Sequence, residues 1–230
     1  YFEGSNKLRV ETEQGQQFVE YEQAILAVGS VPAMPKAFDL GNPRVMTSTV
    51  ALDIEDIPEN LLIVGGGYIG MELGTVYAGL GSKIVMVEAM DTILAGADAD
   101  LARPVVANAK KLFKETRLKS KVTKMSTEGK QIKVESEYNG EKLSELYDRE
   151  LVSVGRVPNS KDLGLQNTKV ELDEKGFVKV NEQQQTTDPS IYAIGDIAGG
   201  ILLAHKAHKE ARIAVEVIHG ESSTAKDVVI

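Results

Sequence analysis

Three glycines stand at a spacing that suits the binding of a pyrophosphate group: Gly65, Gly67 and Gly70 form the pattern Gly-x-Gly-x-x-Gly. The apolar residues 61–64 before them predict a buried strand, and the amphipathic residues 71–80 after them predict a helix. In that setting the first glycine permits a tight turn, the second lets the pyrophosphate approach the backbone, and the third lets the helix pack closely on the strand. The pattern therefore predicts a dinucleotide site, and the alternative is a glycine-rich turn that binds nothing.

Glu88 ends the next predicted strand, residues 83–87, and follows Gly70 at the spacing of a ribose-binding carboxylate. A carboxylate there accepts hydrogen bonds from the adenine ribose hydroxyls. It would repel the 2′-phosphate of NADP, and no arginine within residues 89–92 offsets that repulsion. We therefore predict NAD rather than NADP, and the alternative is a solvated carboxylate at a strand end.

Four further side chains could do chemistry. Glu72, in the helix after the glycines, either faces a nicotinamide ring or complements the helix dipole. Asp196 follows the apolar residues 191–194, which suits a bond to a cofactor hydroxyl, although a helix cap or turn is the alternative. His205 and His208 share one helix face, and Glu210 is the nearest carboxylate. We expect surface or cofactor-edge histidines there and no metal site.

The elements that position these residues follow from apolar patterns and turn residues. Strands are predicted over residues 7–11, 16–20, 24–28, 61–64, 83–87, 118–125, 131–137, 141–147, 151–154, 177–180 and 191–194, and helices over 71–80, 100–115 and 205–219. The strands over 118–147 form an antiparallel meander with an Asn-Gly turn. Four apolar strands end at or near a glycine, namely Gly29, Gly65, Gly155 and Gly195. Ligands bind at the carboxyl ends of strands in open α/β sheets, so cofactors are expected at these glycines.

The composition excludes several classes of function. The chain has 230 residues, a net charge of -8 and no cysteine. The acidic balance argues against a nucleic-acid or anionic-membrane surface. No disulfide, zinc thiolate or cysteine nucleophile can form within the chain. No apolar run is long enough to span a bilayer and no signal peptide is visible, so we expect a cytoplasmic setting. The start at Tyr1 rather than Met leads us to expect a fragment.

In their order, these motifs resemble the flavoprotein disulfide reductases (pyridine nucleotide-disulfide oxidoreductases), and within them the dihydrolipoamide dehydrogenase branch. The matching stretches are AVGS at 27–30, VGGGYIGMELG at 64–74, VE at 87–88, VGRVPN at 154–159, TDPSIYAIGD at 187–196 and LAHKA at 203–207. The last stretch points to the lipoamide branch. Glu88 agrees with it, because NADPH-using relatives look basic at that position.

The resemblance implies an α/β fold in which a Rossmann-type NAD-binding domain is inserted into part of a second, FAD-type α/β domain. The NAD-binding domain is a parallel sheet with an antiparallel meander insertion. The expected bounds are 1–50 for part of the FAD-binding domain with a linker, 51–165 for the NAD-binding domain and 166–230 for the returning FAD-binding part. The implied reaction is the FAD-mediated oxidation of dihydrolipoyl groups with NAD as the hydride acceptor. The whole protein would be a homodimer whose partners are the lipoyl domains of 2-oxo acid dehydrogenase complexes.

By position, the resemblance also implies the residues of each cofactor site. The NAD site would be lined by Gly65, Gly66, Gly67, Tyr68, Ile69, Gly70, Glu72, Glu88, Val122 and Gly155. The FAD site would be lined by Val28, Gly29, Ser30, Asp196, Leu202, Leu203, Ala204 and His205. Asp196 would hold a ribityl hydroxyl, and the backbone of residues 203–205 would lie near the flavin ring. Val28 stands where the family has Thr, so a hydroxyl contact is lost there while backbone contacts survive.

The family also has parts that this sequence lacks: an N-terminal FAD half with a Cys-x4-Cys redox pair, and a C-terminal interface domain with a catalytic His-Glu pair. The interface domain would begin near residues 228–230. We therefore predict no catalytic residue in this piece, no lipoamide turnover by it alone, and weak or absent FAD binding. The alternatives are another FAD/NAD reductase, of the mercuric reductase or NADH oxidase type, and a non-catalytic NAD-binding module.

Overall fold

The computed structural model describes residues 1–225, which form two compact units. One unit is Pro32–Arg156, and the other combines Tyr1–Val31 with the chain from Val157 onward. Residues 226–230 lie outside the described part, and with them the point at which an interface domain is expected to begin. Within residues 1–225, no helix combines the length and the apolar character needed to cross a membrane.

The strands and helices have the following bounds. The strands are β1 Phe2–Gly4, β2 Lys7–Thr12, β3 Gly15–Glu20, β4 Ala24–Leu26, β5 Ser30–Pro32, β6 Val45–Met46, β7 Asn60–Val64, β8 Lys83–Val87, β9 Glu115–Arg117, β10 Lys121–Glu128, β11 Gln131–Tyr138, β12 Glu141–Tyr147, β13 Arg149–Val152, β14 Arg156–Pro158 and β15 Ile191–Ala193. The α-helices are α1 Ser48–Ala51, α2 Tyr68–Gly79, α3 Ala99–Leu112 and α4 Ala204–Ile218, and two 3-10 turns cover Leu165–Asn167 and Gly195–Ala198.

A five-stranded parallel sheet organises the unit Pro32–Arg156, with the strand order β6-β13-β7-β8-β9. Strands β7 and β8 consist of four consecutive buried apolar residues after one polar residue, because both faces of the sheet are covered. In β13, buried Leu151 and Val152 follow Arg149 and the buried Glu150. Met71, Tyr77 and Phe113 belong to the core on one face, and Ile132 and Tyr147 to the core on the other. The chain continues from β7 to β8 on one side and returns to β13 on the other. The carboxyl ends of β7 and β13 therefore flank a topological switch point, where such sheets bind ligands.

The antiparallel meander predicted from the sequence is confirmed as the sheet β10-β11-β12. Its tight turn contains Asn139 and Gly140, both of which have positive φ, of 52° and 82°. Two successive positive φ angles are what a two-residue hairpin with the right-handed strand twist requires. Strand β10 begins at Lys121, three residues later than the predicted start at 118.

The other unit combines an antiparallel sheet, β1-β2-β3, with a two-stranded parallel sheet of β4 and β15. Its core includes Phe2, Leu26, Val178, Ile191 and Ile197. The predicted strand over 24–28 is shortened to β4, which ends at residue 26. The predicted strand over 177–180 is wrong: this stretch makes only isolated bridges, at Val178 and Val180.

The helix predicted over 100–115 is corrected at its C-terminus. α3 ends at Leu112, and Glu115 already belongs to β9, which extends the parallel sheet. Pro104 lies in the second turn of α3, and it provides no N–H for the carbonyl four residues earlier. The helix predicted over 205–219 is confirmed as α4, and Gly220 follows its end with a φ of 95°.

Candidate functional site

The glycines Gly65 and Gly70 are required by the packing between β7, β13 and α2. Gly65 has a φ of +108°, and a Cβ built on it would lie 2.4 Å from the carbonyl oxygen of Ser153. A Cβ on Gly70 would lie 2.1 Å from the carbonyl oxygen of Gly65. These two glycines therefore permit the tight turn and the close approach of helix to strand expected of a dinucleotide-binding loop.

Gly67 has a different environment, because the space beside it is open. It caps the N-terminus of α2 in an extended conformation, and no side chain caps the helix there. No atom lies within 4 Å of the position that a Cβ on Gly67 would occupy. The first N–H groups of a helix lack partners within the helix and attract anions. The loop thus leaves open backbone where a pyrophosphate would have to approach, so this part of the site fits a dinucleotide.

Both carboxylate oxygens of Glu88 accept main-chain hydrogen bonds, one of them from the glycine loop. The Gly66 N–H donates to Oε2 at 2.6 Å, and the Met90 N–H donates to Oε1 at 2.7 Å. A Cβ on Gly66 would lie 3.2 Å from Oε2 and 2.7 Å from a methyl group of Ile93. Each carboxylate oxygen retains a lone pair for a further donor. The strand-end carboxylate is therefore fixed beside the loop and can still accept bonds from ribose hydroxyls.

Ser153 supports the loop and was missed by the sequence analysis. It follows β13, and its hydroxyl lies 3.1 Å from the carbonyl oxygen of Val64 and 3.0 Å from that of Gly65. Its own N–H donates to the Val64 carbonyl at 2.8 Å. A serine within an otherwise apolar run at a strand end was the available signal. Ser153 therefore joins the carboxyl ends of β13 and β7 directly at the glycine turn.

The remaining residues expected at the NAD site differ in exposure. Tyr68, Glu72 and Gly155 are exposed, and Ile69 packs partly against the core beneath α2. Val122 is only 4% exposed and packs in the core between the sheet and the meander. Its side chain is therefore unavailable, and only its main chain could line a nucleotide site.

Arg117 is a buried cation at the end of the neighbouring strand β9, and its carbonyl accepts the Glu88 N–H at 2.9 Å. Its guanidinium is bound by Glu145 and, at 2.6 Å, by Glu115. These hydrogen bonds lower the pKa of the Glu145 carboxyl. Burial raises the pKa of Tyr147, whose hydroxyl donates to Glu145 at 3.1 Å. Two carboxylates thus neutralise Arg117, which leaves it unavailable to a 2′-phosphate beside Glu88.

On the other unit, Ser30 and Asp196 come together although they are far apart in the sequence. The Ser30 hydroxyl donates to the Asp196 carboxylate at 2.5 Å. Gly29 has a φ of +68°, and its carbonyl accepts the Asn159 N–H at 3.1 Å. The Asn159 amide also donates to the Val28 carbonyl at 3.4 Å. The stretch 28–30 is therefore fixed by main-chain bonds that do not need a hydroxyl at position 28.

Asp196 lies in the 3-10 turn Gly195–Ala198, which follows β15 and packs beside α4. Leu203, Ala204 and His205, at the start of α4, are exposed, and Leu202 is half-buried. The sequence-predicted FAD residues of this unit thus comprise one carboxylate, one serine and an accessible first helical turn. Such groups fit the hydroxyl-rich chain and planar ring of a flavin.

The two histidines of α4 do not share a carboxylate. His205 and His208 are both exposed, but the Glu210 carboxylate is occupied by the Lys206 ammonium and the Gly195 N–H. Among residues 1–225, no group of three or more potential ligands is arranged to hold a metal ion.

Comparison with known proteins places the chain among related sequences over nearly all of its length. Residues 1–211 match the model of the family described as pyridine nucleotide-disulphide oxidoreductase. A dihydrolipoyl dehydrogenase of Vibrio parahaemolyticus is 42% identical over 223 residues, which cover 96% of this chain and 46% of that protein. One of Bacillus subtilis is 40% identical, over 96% of this chain and 47% of that protein.

Solved structures agree with the sequence relatives. The HOCl-induced flavoprotein disulfide reductase RclA from Escherichia coli superposes with a TM-score of 0.87 at 27% identity, and the match covers 99% of this chain and 51% of that one. A Mycobacterium tuberculosis structure, LpdA, shares the fold with a TM-score of 0.85 at 24% identity. The chain spans about half the length of the curated relatives it matches.

Proposed function

We propose that this chain supplies the NAD site and part of the FAD site of a dihydrolipoyl dehydrogenase. The chain belongs to the pyridine nucleotide-disulphide oxidoreductase family, which is the premise of this assignment. The similarity to curated dihydrolipoyl dehydrogenases over 96% of the chain supports this choice within the family. The reaction would be the oxidation of dihydrolipoyl groups through FAD, with NAD as the hydride acceptor. Homodimerisation and lipoyl-domain partners are part of the same proposal.

The observation that carries the proposal is the open glycine loop with Glu88 fixed beside it. The pyrophosphate would lie against the backbone at Gly67 and the N-terminus of α2, where the positive end of the helix dipole points. Glu88 would accept the adenine ribose hydroxyls and disfavour a 2′-phosphate. Glu72, exposed on the same helix, would lie toward the nicotinamide. The unit Pro32–Arg156 would thus form the NAD-binding domain, inserted into an FAD-type domain.

In the other unit, Asp196 would bind a ribityl hydroxyl of FAD, with Ser30 holding its carboxylate. The first turn of α4 would lie along the flavin ring. The chemistry that the flavin supplies when bound is two-electron transfer between a dithiol and the nicotinamide. This sequence has no cysteine, so it provides cofactor binding and orientation rather than the redox thiols.

The test is a fluorescence titration of this chain with NADH and with NADPH. We expect saturable NADH binding and at least tenfold weaker NADPH binding. Glu88→Ala should reduce the difference, because it removes the like charge and the ribose acceptor together. Glu141→Ala, on the exposed end of β12, is the matched control and should change neither affinity. Equal affinities for both nucleotides in the unchanged chain would contradict the assignment of Glu88.

Flavin content of the complete gene product separates the reductase from a non-catalytic NAD-binding module. A protein that binds NADH but takes up no FAD would be such a module. Bound FAD with no dihydrolipoamide-dependent NAD reduction would favour another FAD/NAD reductase of the family.

A further inference from the structure

Lys206 and Glu210 form a buried ion pair on α4. They lie one helical turn apart, each is only 8% exposed, and the Lys206 Nζ is 2.8 Å from the Glu210 Oε1. Lysine and glutamate are almost never buried unless they are paired, and removing the two charges from water is costly. Because burying this pair is costly, we expect it to have a role beyond packing.

Both members of the pair bond to the main chain of one residue, Gly195. The Glu210 Oε2 accepts the Gly195 N–H at 2.7 Å, and the Lys206 Nζ donates to the Gly195 carbonyl at 3.3 Å. Gly195 has a φ of +73°, and a Cβ built on it would lie 3.2 Å from the Cβ of Ala207. The ion pair thus holds the N–H and the carbonyl of Gly195 against the surface of α4.

The residue that follows is Asp196, which the proposed function assigns to a flavin hydroxyl. Its carboxylate accepts the Ser30 hydroxyl at 2.5 Å, and its carbonyl accepts the Gly199 N–H at 3.1 Å. The exposed residues 203–205 begin the helix that carries the ion pair. The distance between Asp196 and the first turn of α4 is therefore set through the bonds of Lys206 and Glu210 to Gly195.

We infer that Lys206 and Glu210 are positioning residues for flavin binding, holding Asp196 and the start of α4 at the separation that a ribityl chain and its ring require. The inference rests on the proposed function. Neither side chain touches the cofactor, and both act through the Gly195 peptide. Of the two, Glu210 makes the stronger positioning contact, because its carboxylate accepts the buried Gly195 N–H in a charge-assisted hydrogen bond.

If the ion pair only stabilised the fold, its replacement would lower stability without a separate effect on FAD binding. Replacing both residues together distinguishes this structural role from a positioning role. Removing one partner of a buried ion pair is strongly destabilising, whereas replacing both with apolar side chains is often neutral. Lys206→Met/Glu210→Leu should therefore fold, but it leaves the Gly195 N–H without its acceptor. Lys206→Met/Glu210→Gln removes both charges and keeps an acceptor. Arg212→Met/Glu216→Leu removes a pair of the same spacing on the same helix, in which Arg212 is exposed and Glu216 is half-buried and also accepts the Ser223 hydroxyl.

The experiment measures FAD affinity by flavin fluorescence, and thermal unfolding of the flavin-free form, in the complete gene product. We expect Lys206→Met/Glu210→Leu to bind FAD about tenfold or more weakly than the parent, because Asp196 and the start of α4 are no longer held at a fixed separation. Its melting temperature should fall modestly, because the buried Gly195 N–H has no acceptor. The Gln version should regain most of the affinity, and the Arg212/Glu216 control should match the parent. If the Leu version does not fold, Lys206→Met/Glu210→Met takes its place, because the unbranched Met side chain adapts to the space that Glu210 leaves.

Two results would overturn the inference. The first is an FAD affinity of Lys206→Met/Glu210→Leu equal to that of the parent. The second is a loss of FAD affinity that is the same in the Leu and Gln versions and is matched in both by a fall in melting temperature. A parent protein that takes up no FAD at all would instead refute the proposed function, before the variants are compared.

Discussion

At the scale of single residues, Glu150 is an ionisable side chain in an environment that does not favour its charged form. It lies in the centre of β13, is fully buried, and pairs in register with Val45 and Leu62. Neither of its carboxylate oxygens has a hydrogen-bond partner among the described residues. Burial raises the pKa of Glu150 from 4.5 to about 8. The neutral acid is therefore the form that the folded sheet favours at neutral pH.

This raised pKa predicts how stability depends on pH. The stabilisation that Glu150 derives from staying protonated in the fold is fully present below pH 4.5 and is lost as pH rises toward 8. Across that window the unfolded chain releases the proton and the folded chain keeps it, so stability falls by up to about 1.4 kcal/mol per pH unit. Glu150→Val should remove this slope and stabilise the protein at pH 8.

Urea denaturation at pH 5, 6, 7 and 8 measures the slope, with Glu141→Val as the exposed strand control. The control should retain the parental slope. An identical slope in Glu150→Val and the parent would show that Glu150 does not titrate in this way. The sequence offered a weak signal for this residue: the predicted strand began at residue 151, so Glu150 stood just outside the apolar run.

At the scale of elements, the contact between α2 and β7 determines whether the glycine loop exists. A Cβ at position 70 would collide with the Gly65 carbonyl, at 2.1 Å, and with the Ser153 hydroxyl, at 2.8 Å. Gly70→Ala should therefore force α2 away from the sheet, cost about 1–3 kcal/mol of stability as overpacking does, and abolish NADH binding.

Gly79, in the same helix, is the matched control because nothing lies within 4 Å of a Cβ built there. Gly79→Ala should be neutral or stabilising by up to about 1 kcal/mol, since alanine has the better helix propensity. Both variants are compared with the parent by urea denaturation and NADH titration. Similar stability and affinity in the two variants would refute the packing role of Gly70.

The elements that were predicted correctly are those with strong local patterns. β8 has the predicted bounds, 83–87, because an unbroken apolar run is buried on both faces. The meander followed from alternation and from its Asn-Gly turn. The errors occurred where tertiary partners decide: the stretch 177–180 alternates like a strand but finds only isolated bridges. Glu115, predicted as the last helical residue, instead begins strand β9 because β8 offers it a sheet edge.

The residues of the candidate site also fall into those that the sequence predicted and those that it did not. The position of Glu88 beside the glycines could be predicted from spacing, since it depends on backbone conformation and strand order. Spacing did not predict Ser153, because its hydrogen bond to Gly65 joins segments far apart in the sequence. It did not predict Lys206 and Glu210 either, because these charged residues lie on the buried face of α4, where they contact Gly195. Spacing identifies residues that meet a ligand more readily than residues that hold other residues in place.

At the scale of the whole molecule, the residues proposed for NAD and for FAD lie in different compact units, and this arrangement predicts which activities the chain has by itself. The unit Pro32–Arg156 contains the glycine loop, Glu88 and the strands that position them, so the proposed NADH site takes these residues from one unit. The flavin-side residues Ser30 and Asp196 provide few contacts, and no thiol is present. We therefore expect this chain to bind NADH and to show no dihydrolipoamide-dependent reduction of NAD. The complete gene product, assayed alongside by absorbance at the NADH band, is the positive control. Turnover by the chain alone would mean that dithiol oxidation does not require cysteines outside this sequence, and the proposed division would then be wrong.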